Sequence, residues 1–170
     1  MPRPRKAGTW LAGAAVAVAT ISIPVLATEG TAHAATAASS AVSEARFDAV
    51  AATEARKMVG DPYAYGGTSP RGFDCSGLTQ YVYKHTGGGK NIARTADSQY
   101  GQFKRVAKSA AKKGDLVFFH DTSSPSSYVY HVGVYMGGND MVAATTSGGT
   151  VELQSFAWAG DTVTFGHYTH

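Results

Sequence analysis

An α+β domain, with helices first and an antiparallel sheet after them, is what this chain of 170 residues predicts. Three observations carry the prediction. Between residues 47 and 85 the apolar side chains recur at spacings of three and four, which is the helical period. From Asp115 onward that period gives way to short runs rich in β-branched and aromatic residues. Clusters of turn-forming residues of hairpin length separate those runs, so successive strands are expected to pair antiparallel.

Residues 1–34 read as a secretory leader. Met1-Pro2-Arg3-Pro4-Arg5-Lys6 is a basic start, Trp10 to Leu26 is mostly small and apolar, and Ala32-His33-Ala34 is a small-x-small cleavage site. The rival reading is a retained membrane anchor, since the apolar stretch approaches the shortest spanning length. Pro24 inside the stretch and the site beyond it favour cleavage, with a mature chain from Ala35. No cysteine stands near that site to take a lipid.

Residues 35–46, chiefly Ala, Ser and Thr, read as a short flexible linker, and a single domain follows over 47–170. Phe47, Val50, Ala51, Glu54, Ala55 and Met58 predict an amphipathic helix that stops at Gly60 and Asp61-Pro62. Leu78, Tyr81, Val82 and His85 predict a second, ended by Gly87-Gly88-Gly89. Leu116 to Phe119, Tyr128 to Met136, Met141 to Thr146, Thr150 to Gln154 and Thr162 to Tyr168 predict strands. Removing the leader takes away Arg3, Arg5, Lys6 and Glu29, and the formal charge falls from +3 to +1. Basicity is therefore no argument for a nucleic acid partner. A monomer is expected, with no stable membrane anchor after cleavage.

Cys75 is the only cysteine, so no internal disulfide can form. It falls at the start of the second helix, where free N–H groups and the helix dipole favour a thiolate, and Asp74 before it can cap the helix. A cysteine nucleophile needs a base, and His131, at the head of His131-Val132-Gly133-Val134-Tyr135-Met136, is the best candidate. Gly133 on its face leaves room for another element to approach. A cysteine on a helix packed on a strand-borne histidine is the papain-type arrangement. His120 is expected to end a strand near the cleft mouth, and His85, His167 and His170 to face solvent. No H-E-x-x-H, C-x-x-C or G-x-S-x-G pattern occurs, so neither a metal, a cofactor nor a serine nucleophile is expected.

Five segments in order, Pro62-Tyr63-Ala64-Tyr65-Gly66-Gly67, Phe73-Asp74-Cys75-Ser76-Gly77-Leu78, Arg94-Thr95-Ala96, Lys113-Gly114-Asp115-Leu116-Val117-Phe118-Phe119 and His131-Val132-Gly133-Val134-Tyr135, resemble the NlpC-type cell-wall endopeptidases. The resemblance implies a papain-like domain with the nucleophile at a helix N-terminus. Cys75 matches the nucleophile, His131 the base, and Tyr63 a hydroxyl that joins the cysteine N–H in holding the oxyanion. Asp74 and Ser76 match positions that bind the free amine of a peptidoglycan stem peptide, and Arg94 and Thr95 match a segment lining the cleft. The implied reaction is hydrolysis of stem-peptide amides, commonly between D-glutamate and the diamino acid, by a secreted, wall-directed protein.

One position departs from the pattern. The family places His, Asn or Gln twelve residues after the base to orient its ring, and here that position is Ala143. Strand period two puts Thr145 on the same face, where its hydroxyl, or a water, could accept the His131 N–H. The departure leaves a second class open, a binding module that holds stem peptides or a partner without cutting them. Amidase or acyl-transferase chemistry on the same core is a third.

Overall fold

A computed structural model describes residues 29–87, 89–123, 127–146 and 149–169. The leader up to residue 28 and His170 lie outside the described residues. Three α-helices, α1 (Glu29–Lys57), α2 (Cys75–His85) and α3 (Ala96–Gln102), accompany eight strands. β1 (Thr68–Ser69) and β2 (Gly72–Phe73) form a small hairpin. The others, β3 (Lys104–Val106), β4 (Leu116–His120), β5 (Val129–Gly137), β6 (Asp140–Ala144), β7 (Val151–Ser155) and β8 (Val163–His167), make one sheet in the order β3-β8-β4-β5-β6-β7. Every pairing in it is antiparallel, as expected. The chain end is not at an edge, because β8 inserts between β3 and β4.

Period two along the strands divides the sheet into two buried faces. Leu116, Phe118, Val129, Val132, Val134, Val142 and Val151 pack against Phe47, Ala51 and Ala55 of α1 and Leu78, Val82 and Tyr83 of α2. Val117, Phe119, Tyr135, Met141, Ala143 and Phe165 face the other way, under Phe156 and Ala159. A sheet covered on both sides explains why β4 is a continuous apolar run rather than an alternating one.

The first helix differs from its sequence reading in two ways. It runs through residues 35–46, the expected linker, because a segment so rich in alanine has high helix propensity. The expected cleavage point after Ala34 thus falls inside it. Its buried stripe is also rotated: Val50 is exposed, while Asp48 is buried at 4% exposure.

Asp48 turns inward to a polar knot that ties α1 to the sheet. His167 Nδ1 lies 2.7 Å from Asp115 Oδ1, Lys112 Nζ is 4.0 Å from Asp48 Oδ2, and His167 Nε2 is 4.0 Å from Glu44. His167 is therefore largely buried rather than solvent-facing; its partner is 52 residues away in sequence. Asp48, Asp115 and His167 are also a group whose donor atoms could meet at a metal. The hydrogen bond between His167 and Asp115 makes the cluster a structural tie, with the Lys112 ammonium 4.0 Å from an Asp48 oxygen that has no hydrogen-bond partner.

Burial pushes the Asp48 carboxyl up to about 6, against the opposing pull of His167 and Lys112, and it raises Asp115 as well. An acid raised by folding binds its proton more tightly in the fold, so its stabilising contribution is complete below its unfolded value and is lost as pH rises through about 6. Wild-type Tm should fall more than that of Asp48→Asn between about pH 4 and about pH 7. Thermal melts across that range check this, and parallel profiles would refute it.

Candidate active site

Cys75 is the first residue of α2, and the residue before it builds the helix start. Asp74 Oδ1 accepts from the Gly77 N–H at 2.7 Å, and Oδ2 from the Gly66 N–H at 3.0 Å. Arg94 closes on the same carboxylate, Nη1 to Oδ1 at 3.0 Å and Nη2 to Oδ2 at 2.5 Å, and also donates to Ser76 Oγ at 3.0 Å. Asp74, Ser76 and Arg94 thus meet beside the cysteine. Thr95 does not join them; its hydroxyl accepts from the Ser98 N–H and caps α3. From α3, buried Gln99 reaches back to the Ser76 carbonyl at 2.9 Å and takes a bond from Thr79 at 2.8 Å. That bolt on the first turn of α2 was not legible in the sequence.

Tyr63 is placed by the backbone on both sides of it. Its N–H donates to Gly149 O at 2.8 Å, the Phe73 N–H donates to Pro62 O at 3.0 Å, and Tyr63 bridges Phe73 two residues before the cysteine. Gly77 is needed for the approach of this segment, since a Cβ there would stand 2.0 Å from Gly67 O.

His131 belongs to the sheet face away from the helices: it pairs with Phe119, and the two rings lie 5.2 Å apart. Cys75 comes from the helix side. The β5–β6 ladder runs from Gly137↔Asp140 only to Val134↔Val142, and past that point the strands no longer hold each other. The Val132 backbone N–H is near enough there to pull the Cys75 thiol down, and the opened seam is where Cys75 and His131 come to one cavity. They share a cavity of about 370 Å³ with Tyr63, Tyr130, Met141, Thr145, Gln154 and Trp158. Trp158 stacks on Phe119 at 5.7 Å. It and Gln154 escaped the sequence reading because only strand pairing brings them to the seam. The space beside Gly133 is filled by Met141 of β6, whose Sδ lies 2.7 Å from where a Cβ would sit, and not by a helix. A larger hollow of about 520 Å³ at the β3 and β8 edge is walled by Arg105, Lys108 and Phe156 and is lined by neither Cys75 nor His131.

Burial dominates the electrostatics. It raises the Cys75 thiol, although N–H groups of Val132, Ser76 and Cys75 itself pull the other way. It lowers the His131 imidazole to about 4. At neutral pH the resting pair is a thiol beside a neutral imidazole, so the thiolate that the helix start favours is outweighed by desolvation. Burial and the neighbouring Cys75 and Asp74 raise the Tyr63 phenol, which stays a donor. The other histidines stand apart: His85 is exposed on the end of α2, and His120, the last residue of β4, is held by Thr164 at 2.8 Å.

The family described as NlpC/P60 matches residues 60–166. Over 125 residues the chain is 37% identical to the probable endopeptidase p60 of Listeria grayi, covering 73% of this chain and 23% of that protein. Over 115 residues it is 41% identical to the bifunctional muramidase/DL-endopeptidase CwlT of Bacillus subtilis, covering 66% of this chain and 34% of that one. The chain thus spans about a quarter to a third of the length of these curated relatives. The crystal structure of the NlpC/p60 domain of peptidoglycan hydrolase SagA superposes with a TM-score of 0.61 at 34% identity, over 72% of this chain and 98% of that domain.

A neutral resting pair has a direct consequence for labelling. The rate of Cys75 alkylation by iodoacetamide should climb about tenfold per pH unit between about pH 7 and about pH 9. A flat, fast rate across that range would mean a preformed thiolate–imidazolium pair.

Proposed function

The chain belongs to the NlpC/P60 family, and on that premise we propose that it is a secreted cysteine endopeptidase that hydrolyses amide bonds in peptidoglycan stem peptides. The bond between D-glutamate and the diamino acid is the favoured one. The observation that carries the reading is the meeting of Cys75, His131 and Tyr63 around one cavity. Its likeness to a probable endopeptidase and to a bifunctional muramidase/DL-endopeptidase supports the substrate class. The leader over residues 1–34 supports export to the cell wall. Among the described residues, no helix is long and apolar enough to cross a membrane.

The proposed chemistry runs through two acyl transfers. The Cys75 proton passes to a ring nitrogen of His131 as sulfur attacks the carbonyl carbon. The oxyanion is held by the Tyr63 hydroxyl and the Cys75 backbone N–H. As the tetrahedral intermediate collapses, the C–N bond breaks and the imidazolium gives its proton to the leaving amine. Water, deprotonated by the same ring, then cleaves the thioester and returns the thiol. Asp74, Ser76 and Arg94 stand at the acyl side as a charged cluster for the amine of the peptide's first residue. For that amine to reach Asp74 it must share a carboxylate that Arg94 already grips. Thr95 supports the cluster as the cap of the following helix.

A second reading, a module of the same fold that binds stem peptides without cutting them, is favoured by Ala143 alone. Digestion of purified stem peptides followed by mass spectrometry separates the two and also detects acyl transfer. Wild type should release the diamino-acid fragment and Cys75→Ala should release none. Binding without products from wild type would select the second reading. Tyr63→Phe should lower kcat by roughly 10²-fold with KM little changed; an unchanged kcat would remove the hydroxyl from the oxyanion site.

A further inference from the structure

We propose that Thr145 is the positioning residue for His131, replacing the β6 side chain that Ala143 does not supply. The proposal rests on the Cys75–His131 reading of the site. Ala143 is fully buried among Val117, Phe119, Tyr135 and Met141, and its Cβ lies 3.2 Å from where a side chain on Gly133 would begin. Its methyl offers the His131 ring no acceptor. Among the described residues, no protein group makes a hydrogen bond to that ring.

Three observations point to the residue two positions on. The Thr145 N–H bond to Thr150 O carries the β6–β7 register, Ala144↔Val151, one residue further, so strand period two puts position 145 on the face of position 143. Thr145 lines the cavity that holds Cys75 and His131. Its Oγ1 is buried without a hydrogen-bond partner, a state found in only four side-chain atoms among the described residues. A buried hydroxyl is costly to leave unpaired, and here an unpaired hydroxyl and an imidazole without a protein partner line one cavity.

The backbone fixes where that hydroxyl sits. The Thr145 N–H donates to Thr150 O at 3.3 Å, and its carbonyl accepts from the Gly149 N–H at 3.1 Å. Gly149 is the residue that also receives the Tyr63 N–H, so the turn that sets Thr145 is coupled to the one that sets the oxyanion donor. The Thr145 Oγ1 accepts the ring N–H turned away from Cys75, directly or through one bridging water. This selects the tautomer whose other nitrogen is free to take the thiol proton, and it steadies the imidazolium until the proton passes to the leaving amine.

The test compares Thr145→Val, nearly isosteric but without the hydroxyl, with Thr145→Ser, which keeps it. Stem-peptide hydrolysis should show kcat lowered about tenfold or more in Thr145→Val with KM within about twofold, and Thr145→Ser close to wild type. Nitrogen-15 NMR of the His131 ring, assigned with His131→Ala and recorded without substrate, should show one dominant tautomer in wild type and Thr145→Ser and a mixture in Thr145→Val. Unchanged kcat or an unchanged ring spectrum in Thr145→Val overturns the proposal, as does a Thr145→Ser variant as slow as Thr145→Val. If wild type cleaves no stem peptide, the functional reading fails on its own, and the ring spectra still decide whether Thr145 holds His131.

Discussion

The Asp74 carboxylate is the constraint on which the site depends. It accepts from the N–H groups of Gly66 and Gly77 and from both terminal nitrogens of Arg94. One side chain thereby joins the loop after Tyr63, the first turn of α2 and the segment leading into α3. Without it the start of α2 would lose its cap, and with that the fixed height of the Cys75 backbone N–H. The join tolerates little bulk, since a Cβ on Gly67 would lie 2.2 Å from Gly72 O and one on Gly77 2.0 Å from Gly67 O. Charge draws these segments together, and the absence of side chains lets them arrive.

The second constraint is the opening of the sheet. A fully zipped β5–β6 pair would put the helix-side Cys75 and the far-side His131 on opposite faces of an intact ladder. Because the register ends at Val134↔Val142, the Val132 N–H is left for the Cys75 sulfur, and the two reactive groups reach one cavity from opposite sides. The backbone at Thr145 and at Gly149 to Val151 closes the far end of that opening. It bonds to itself through Thr145 and Thr150 and to the Tyr63 and Gly60 segments through Gly149 and Val151. Cys75, the wall beside His131 and Tyr63 are therefore placed by a short list of backbone bonds.

What could be read from sequence was local. The apolar spacing of α1 and α2, the β-branched runs of the strands and the cysteine at a helix start each declare themselves within a dozen residues. What could not be read was long-range. The insertion of β8 between β3 and β4, the Gln99 bolt and the burial of His167 all join residues tens of positions apart. Val50 faces solvent in place of Asp48 because Asp48 has an electrostatic appointment with β4 and β8 that no helical wheel displays. Residues 35–46 carry no large apolar group to mark a buried face, yet their alanines favour a helix that composition alone presents as linker. Ala143 was legible as a departure, whereas the unpartnered hydroxyl of Thr145 needed the fold.

The apolar surroundings of His131 bear on base strength as well as on orientation. Desolvation alone lowers the imidazole to about 4 while it raises the thiol, so the proton transfer proposed from Cys75 to His131 runs uphill. A polar side chain at position 143 would have favoured the imidazolium; alanine leaves that charge to be met elsewhere. In the proposed reaction the groups available are donors to the other end of the separated charge: the N–H groups of Val132, Ser76 and Cys75 at the sulfur, and the Tyr63 hydroxyl at the oxyanion. These act fully only once a substrate carbonyl is in place and water is excluded. A thiol that stays protonated until then is shielded from stray electrophiles and oxidants, since the thiolate is the reactive form. In a chain with a single cysteine, a weakly basic imidazole and a late-forming thiolate fit together as one arrangement.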